Sequence, residues 1–170
     1  MKIVISALKR ILKESIDGNK ILSERPWSVE YAFTLSGGNA EDSEGKGPDG
    51  FAVTMTGDSG KTVKVIVDSY WNPQAGDSSG NSLKVEIDGN VVSDTYVPTR
   101  FDDGEEQTLI ISNSPVPGLL TVSHSADTTS PPIVYLAIPN PFDEGDDVSF
   151  DAEKIGNGNA KINLKGHSNL

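Results

Sequence analysis

The amino-acid sequence predicts a mainly β protein: an antiparallel β-sandwich, jelly-roll-like, with one short N-terminal α-helix. Three observations predict it. Apolar residues recur at every second position in a series of short runs, the period of a half-buried strand. Seventeen glycines and ten prolines separate these runs with turn chemistry. At 170 residues the chain suits one domain with a real core. Hydrophobic content is only 35%, but its periodicity sets the composition apart from that of a disordered chain.

The stretch Thr62–Val92 shows the pattern most fully. Val63, Val65 and Val67 alternate with Thr62, Lys64 and Asp68, and Ile66 is the one apolar residue on the outer side. Leu83, Val85 and Ile87 repeat the alternation against Lys84 and Glu86. A Gly/Ser/Asn loop joins the two runs, and Asp88-Gly89-Asn90 makes a tight turn into Val91-Val92. These features describe a β-meander.

In chain order, residues 1–20 are the one segment with helical periodicity. Ile5, Leu8, Ile11, Leu12 and Ile16 recur at intervals of three and four, Ser6 can cap the start, and Asp17-Gly18-Asn19 is a stop signal. About three turns of helix are marginal alone, so the stripe Leu8, Ile11, Leu12 and Ile16 is expected to dock. It docks either on its own domain or on a partner chain. Residues 21–165 are expected to form the sandwich and 166–170 a frayed tail.

After Pro26, Trp27, Val29, Tyr31, Phe33 and Leu35 alternate with smaller or polar residues, which puts Trp27 in the core. Gly37–Gly50 reads as a long polar loop, followed by a strand through Phe51, Val53 and Met55 and a turn at Asp58-Ser59-Gly60. Tyr96-Val97-Pro98 reads as a short edge segment. Thr108–Ser112 is a buried strand, and Leu120–His124 follows with His124 on the parity of Leu120 and Val122, against the core. Ile133–Ile138 is a continuous apolar run suited to a strand covered on both sides. Val148, Phe150 and Ala152 alternate, and Gly156-Asn157-Gly158-Asn159 is expected to turn a last hairpin into Lys161–Leu164.

The net charge of −11 is uneven. Residues 1–25 hold six basic against three acidic residues, leaving twenty-two acidic against eight basic in the remainder. So acidic a globule repels nucleic acid, whose binding depends on cations set against phosphates. No run approaches the roughly 18 apolar residues of a membrane span. Lys9 and Arg10 break the run Ile3–Leu8, and no small-residue cleavage site follows, so the segment reads as part of the mature chain. With no cysteine, disulfides and thiolate metal sites are excluded.

Little in the sequence carries catalysis, and no catalytic residue is assigned. There are two histidines, and neither a G-x-S-x-G nor an H-E-x-x-H motif occurs. No cofactor is expected, with calcium as the exception that acidic turns could hold. The candidate metal ligands are Asp143, Glu144, Asp146 and Asp147, with further acidic turns at Glu41-Asp42-Glu44 and Asp102-Asp103-Glu105-Glu106. None has the spacing of the helix-loop-helix calcium motif. Tyr70-Trp71-Asn72 ends a strand and opens a loop, where an exposed ring could stack on the apolar face of a sugar; Trp71, Tyr70 and Asn72 are the candidate ligand residues.

The run Ser82–Val92, with its hydrophobic-x-hydrophobic-Asp-Gly and Val-rich return, resembles galactose-binding-like jelly rolls and carbohydrate-binding modules. Gly118–Val122 and Ile133–Ile138 could correspond to later strands of that family, so the resemblance covers about residues 27–140. It implies sugar binding, and no residue role is carried over because the family's contacts vary. The overall plan also resembles small accessory proteins of phage and viral particles. Two expectations follow. The first is a non-enzymatic structural or adhesive protein at a virion or extracellular surface, made without a signal peptide, docked by its helix onto other subunits and homo-oligomeric. The alternative is a carbohydrate-binding module that uses an exposed aromatic and calcium.

Overall fold

The computed structural model describes residues 20–22, 27–36, 48–70, 80–113, 118–143, 145–156 and 159–169. Among these the chain forms eleven strands: β1 (Lys20–Leu22), β2 (Trp27–Ser36), β3 (Pro48–Gly57), β4 (Thr62–Asp68), β5 (Ser82–Ile87), β6 (Asn90–Tyr96), β7 (Gln107–Ser112), β8 (Leu119–Ser125), β9 (Ile133–Pro139), β10 (Asp147–Gly156) and β11 (Asn159–Asn169). They make two sheets, one of six strands in the order β1-β10-β3-β4-β5-β6 and one of five in the order β11-β2-β7-β8-β9. Every pairing is antiparallel. The expected sandwich is present, and the sheets bury one common core.

Alternation decides which residues enter that core. On β2, Trp27, Val29, Tyr31, Phe33 and Leu35 are buried, while Ser28, Glu30, Thr34 and Ser36 are half-exposed. On β4, Val63, Val65 and Val67 face in and meet Met55, Val53 and Phe51 of β3 in register. The Phe33 and Phe51 rings, from opposite sheets, sit 4.9 Å apart, and burial of such rings supplies much of the driving force for sheet packing. Asp88 and Gly89 both take positive φ (50° and 80°) between paired Ile87 and Asn90, the geometry of the tight hairpin turn that Asp-Gly favours.

One glycine is fixed by its surroundings. Gly50 has φ +128°, and a Cβ there would lie 1.7 Å from the Val67 carbonyl oxygen on β4. No other residue fits the close approach of β3 and β4 at that point.

Four expectations need comment. The stripe Leu8, Ile11, Leu12 and Ile16 lies outside the described residues. Gly156–Asn159 does not turn a hairpin: β10 pairs with β3 and β11 with β2, so the chain changes sheets there. A Gly/Asn cluster marks a reversal of direction but does not choose the hydrogen-bonding partner. The tail does not fray at residue 166, because Gly166–Asn169 pair with Glu30–Trp27 and extend β11 past a bulge at Leu164/Gly166. Finally, β9 is not covered on both sides. It is an edge strand of the five-stranded sheet, with Ile133 59% and Val134 58% exposed.

Candidate functional site

The end of β4 and the start of β5 build a polar corner on the outer face of the six-stranded sheet. Asp68 closes β4 and pairs with Ser82, which pairs in turn with Tyr96 at the end of β6. Directly opposed residues share a face of the sheet, so Asp68, Ser82 and Tyr96 form one row. The Asp68 carboxylate accepts from the Lys84 ammonium at 2.6 Å and from the Tyr70 backbone N–H at 3.1 Å. This second bond turns the chain out of β4 and sets the position of Tyr70, which is half-buried. Ser82 is buried, and its hydroxyl has no hydrogen-bond partner among the described residues. Tyr96 is 60% exposed, the largest exposed aromatic surface among the described residues.

A second layer of polar side chains anchors this corner. Asn81, just before β5, donates from its amide to the carbonyls of Val97 and Thr99, both at 2.6 Å, and accepts from the Phe101 N–H at 2.9 Å. Its backbone carbonyl also accepts from the Val97 N–H at 3.0 Å. One side chain thereby stands in for a strand neighbour and ties the segment after Tyr96 to β5. Phe101 is seated in the core against Phe33 and His124, at ring distances of 6.1 and 5.2 Å. Arg100 makes a two-pronged contact with Asp102, both bonds 2.9 Å. The Gln107 amide donates to the Arg100 carbonyl at 2.6 Å and to Asp103 at 3.1 Å.

The acidic turn before β10 serves a different purpose. Asp146 accepts from the Ser59 N–H at 3.0 Å, the Ser59 hydroxyl at 2.7 Å and the Asp143 N–H at 3.3 Å, so it clamps the β3–β4 turn. Asp143 lines an open depression of about 580 Å³ with Ser59, Lys61, Thr62 and Asp88. The Lys61 ammonium, 3.0 Å from Asp88, is the cation of that depression. The Thr62 N–H, and after it the Lys61 contact, hold the Asp88 carboxyl below its usual range. Asp147 belongs to β10, and Glu144 lies outside the described residues. No group of three His, Asp or Glu side chains that could hold a metal occurs among the described residues.

A smaller groove of about 290 Å³ crosses the outer face of β3 and β10, lined by Thr54, Thr56, Ser149, Asp151 and Glu153. Asp151 also bears on the core: burial, reinforced by its charge, pushes the Tyr31 phenol up to about 12.

Of the candidate ligand residues, Tyr70 takes its place in the corner, and Trp71 and Asn72 lie outside the described residues. Sequence reading missed Tyr96, Lys84 and Ser82 as members of this corner. The available signal was the parity of Ser82 with Lys84 and Glu86, opposite to that of Leu83 and Val85. His124 sits against the core as its parity indicated.

The sequence matches no family model and no curated protein. Solved structures do share its architecture. The exoplasmic/lumenal domain of VIP36, in a Ca2+/Man-bound form, aligns at TM-score 0.61 and 14% identity over 88% of this chain and 70% of that one. Lectin UEA-II complexed with galactose aligns at TM-score 0.60 and 13% identity, over 87% and 75% of the two chains. The metal-free lectin I-B4 from Griffonia simplicifolia aligns at 0.56 and 17%, over 82% and 72%. The chain has the sandwich fold of these lectin domains. At such identities the likeness is one of fold.

Proposed function

We propose that this chain is a non-enzymatic glycan-binding sandwich whose ligand corner is formed by Tyr96, Tyr70, Asp68 and Lys84, with Trp71 and Asn72 on the adjoining segment. The observation that carries the reading is the alignment of the exposed Tyr96 with Asp68 and Ser82 across β4, β5 and β6. Sugars present an apolar face that stacks on such a ring and hydroxyls that donate to a carboxylate and accept from an ammonium. The Asp68–Lys84 pair offers both, fixed by Tyr70 and by the sheet. The fold held in common with lectin domains supports this reading, and an extracellular or lumenal setting goes with it. Docking through Leu8, Ile11, Leu12 and Ile16 onto a virion rests on residues outside those described, and the lectin-like fold favours the glycan reading over it.

The test is a glycan array followed by titration of the best glycan. Tyr96→Ala and Trp71→Ala are each expected to weaken binding by about tenfold or more with an unchanged melting temperature. Repeating the titration with a chelator tests calcium in the same experiment. A chain that binds no glycan, or binds equally well after both substitutions, overturns the reading.

A further inference from the structure

Each sheet of the sandwich has two edge strands, and they close two flanks that differ in character. On one flank β1 meets β11, and on the other β6 meets β9. The first flank is protected in the usual ways. β1 has only three residues, and β11 carries Lys161 and Lys165. Short strands and lysines discourage further strand pairing. The second flank lacks that protection. Val91 and Val92 of β6 and Ile133 and Val134 of β9 are four of the seven large apolar residues left exposed among the described residues, with exposures of 48–59%. From Thr128 to Phe142 the sequence has no charged residue, in a chain of net charge −11.

We propose that β9 is the contact strand of a homodimer, pairing antiparallel with β9 of a second copy so that two five-stranded sheets become one of ten. The charge pattern selects a second copy over an unrelated partner. In a two-fold contact each residue near the axis faces its own equivalent, so any charge there meets a like charge. A strongly acidic chain self-associates with least repulsion where its surface is uncharged, and β9 with its flanks meets that condition. β6 brings Val91 and Val92 to the same flank but carries Asp94 within the strand, a charge that β9 lacks. The prolines set the limits. Pro132 before β9 and Pro139 at its end have no N–H to give a ladder, so pairing is confined to Ile133–Ile138 and cannot spread along the chain. The pairing is carried by β9 of the five-stranded sheet, whereas the glycan reading rests on the outer face of the six-stranded sheet, so each has its own test.

The test is light scattering on the full chain across a range of protein and salt concentrations. The expected mass is about 36 kDa, twice the 18.1 kDa of one chain. Association should strengthen with added NaCl, because salt screens repulsion between two acidic copies. Ile133→Lys and Val134→Lys, both at exposed positions, should give folded monomers, whereas Leu164→Lys on the opposite flank should leave the dimer intact. Amide exchange of the unaltered chain provides a second reading that needs no variant: protection of Ile133–Ile138 should rise with protein concentration. A monomer at every concentration and salt overturns the proposal. So does a dimer that survives both lysine substitutions, or protection in β9 that does not change with concentration.

Discussion

His124 Nε2 lies 2.7 Å from Gln107 Oε1 inside the sandwich. The Gln107 amide nitrogen already donates to the Arg100 carbonyl and Asp103, so its oxygen must be the acceptor and His124 Nε2 must carry the hydrogen. In its neutral form the imidazole is therefore held as the Nε2–H tautomer, with the rings of Phe33, Phe101 and Tyr135 around it.

That environment gives a pH dependence with a definite sign. Burial pulls the His124 pKa down from 6.5 to about 4, and the Asp103 charge offsets only part of the effect. The unfolded chain binds the proton more readily, so the stability held by neutral His124 is whole above pH 6.5. It falls as the pH drops through 6.5 towards 4, and below that the group makes no further difference. The loss amounts to about 3 kcal/mol. Urea midpoints should show the gap between the parent chain and His124→Gln narrowing from pH 7 to pH 4.5. A gap independent of pH would mean that the imidazole is not held neutral.

Asn81→Ala removes three hydrogen bonds at once and leaves the Val97 and Thr99 carbonyls and the Phe101 N–H without this partner. The expected loss is about 2–4 kcal/mol, read by calorimetric melting. Asn81→Asp should be no better, since a carboxylate facing two carbonyl oxygens has nothing to donate.

Gly50→Ala and Gly60→Ala form a contrast. Both glycines have positive φ, but a Cβ at Gly60 meets open space and one at Gly50 runs into the Val67 carbonyl. Gly60→Ala should lower stability by about 1 kcal/mol. Gly50→Ala should lose roughly 3 kcal/mol or more or fail to fold, because β3 and β4 would have to part. Equal melting temperatures would contradict that geometry.

At the ligand corner, Lys84→Met bears on both binding and support. It keeps the length of the side chain and removes the ammonium that reaches Asp68. Glycan affinity should fall by about tenfold, and because both side chains are largely buried, 15% and 10% exposed, stability should fall as well, by about 3 kcal/mol. A large fall in melting temperature with binding retained would make the pair a structural feature of the sheet.

Much of the sandwich was legible in the sequence because its strands are half-buried. Trp27–Leu35, Val63–Val67 and Leu83–Val85 each declare an inner face by alternation, and Asp88-Gly89 declares its turn. Residues whose roles depend on distant partners were harder to read. Asn81 acts on residues 97–101, and Asn113 accepts from the Trp27 N–H across the edges of two strands. Gln107 could have been found, since it continues the inward parity of Leu109 and Ile111. The apolar run in β9 was read as a strand covered on both sides, whereas it lies at a sheet edge with Ile133 and Val134 exposed. Periodicity cannot say what covers such a surface, because an edge position follows from topology and the sequence of one strand does not encode it.

The pairing of β11 with β2 and of β10 with β3 also bears on how the protein forms in a cell. During synthesis the meanders β3–β6 and β7–β9 emerge first, but β2 and β3 keep an open side until residues 147–169 have left the ribosome. Contacts so distant in sequence close slowly. The nascent chain must therefore wait with two unfilled ladder positions, and its yield should depend on how long chaperones can shield β2 and β3.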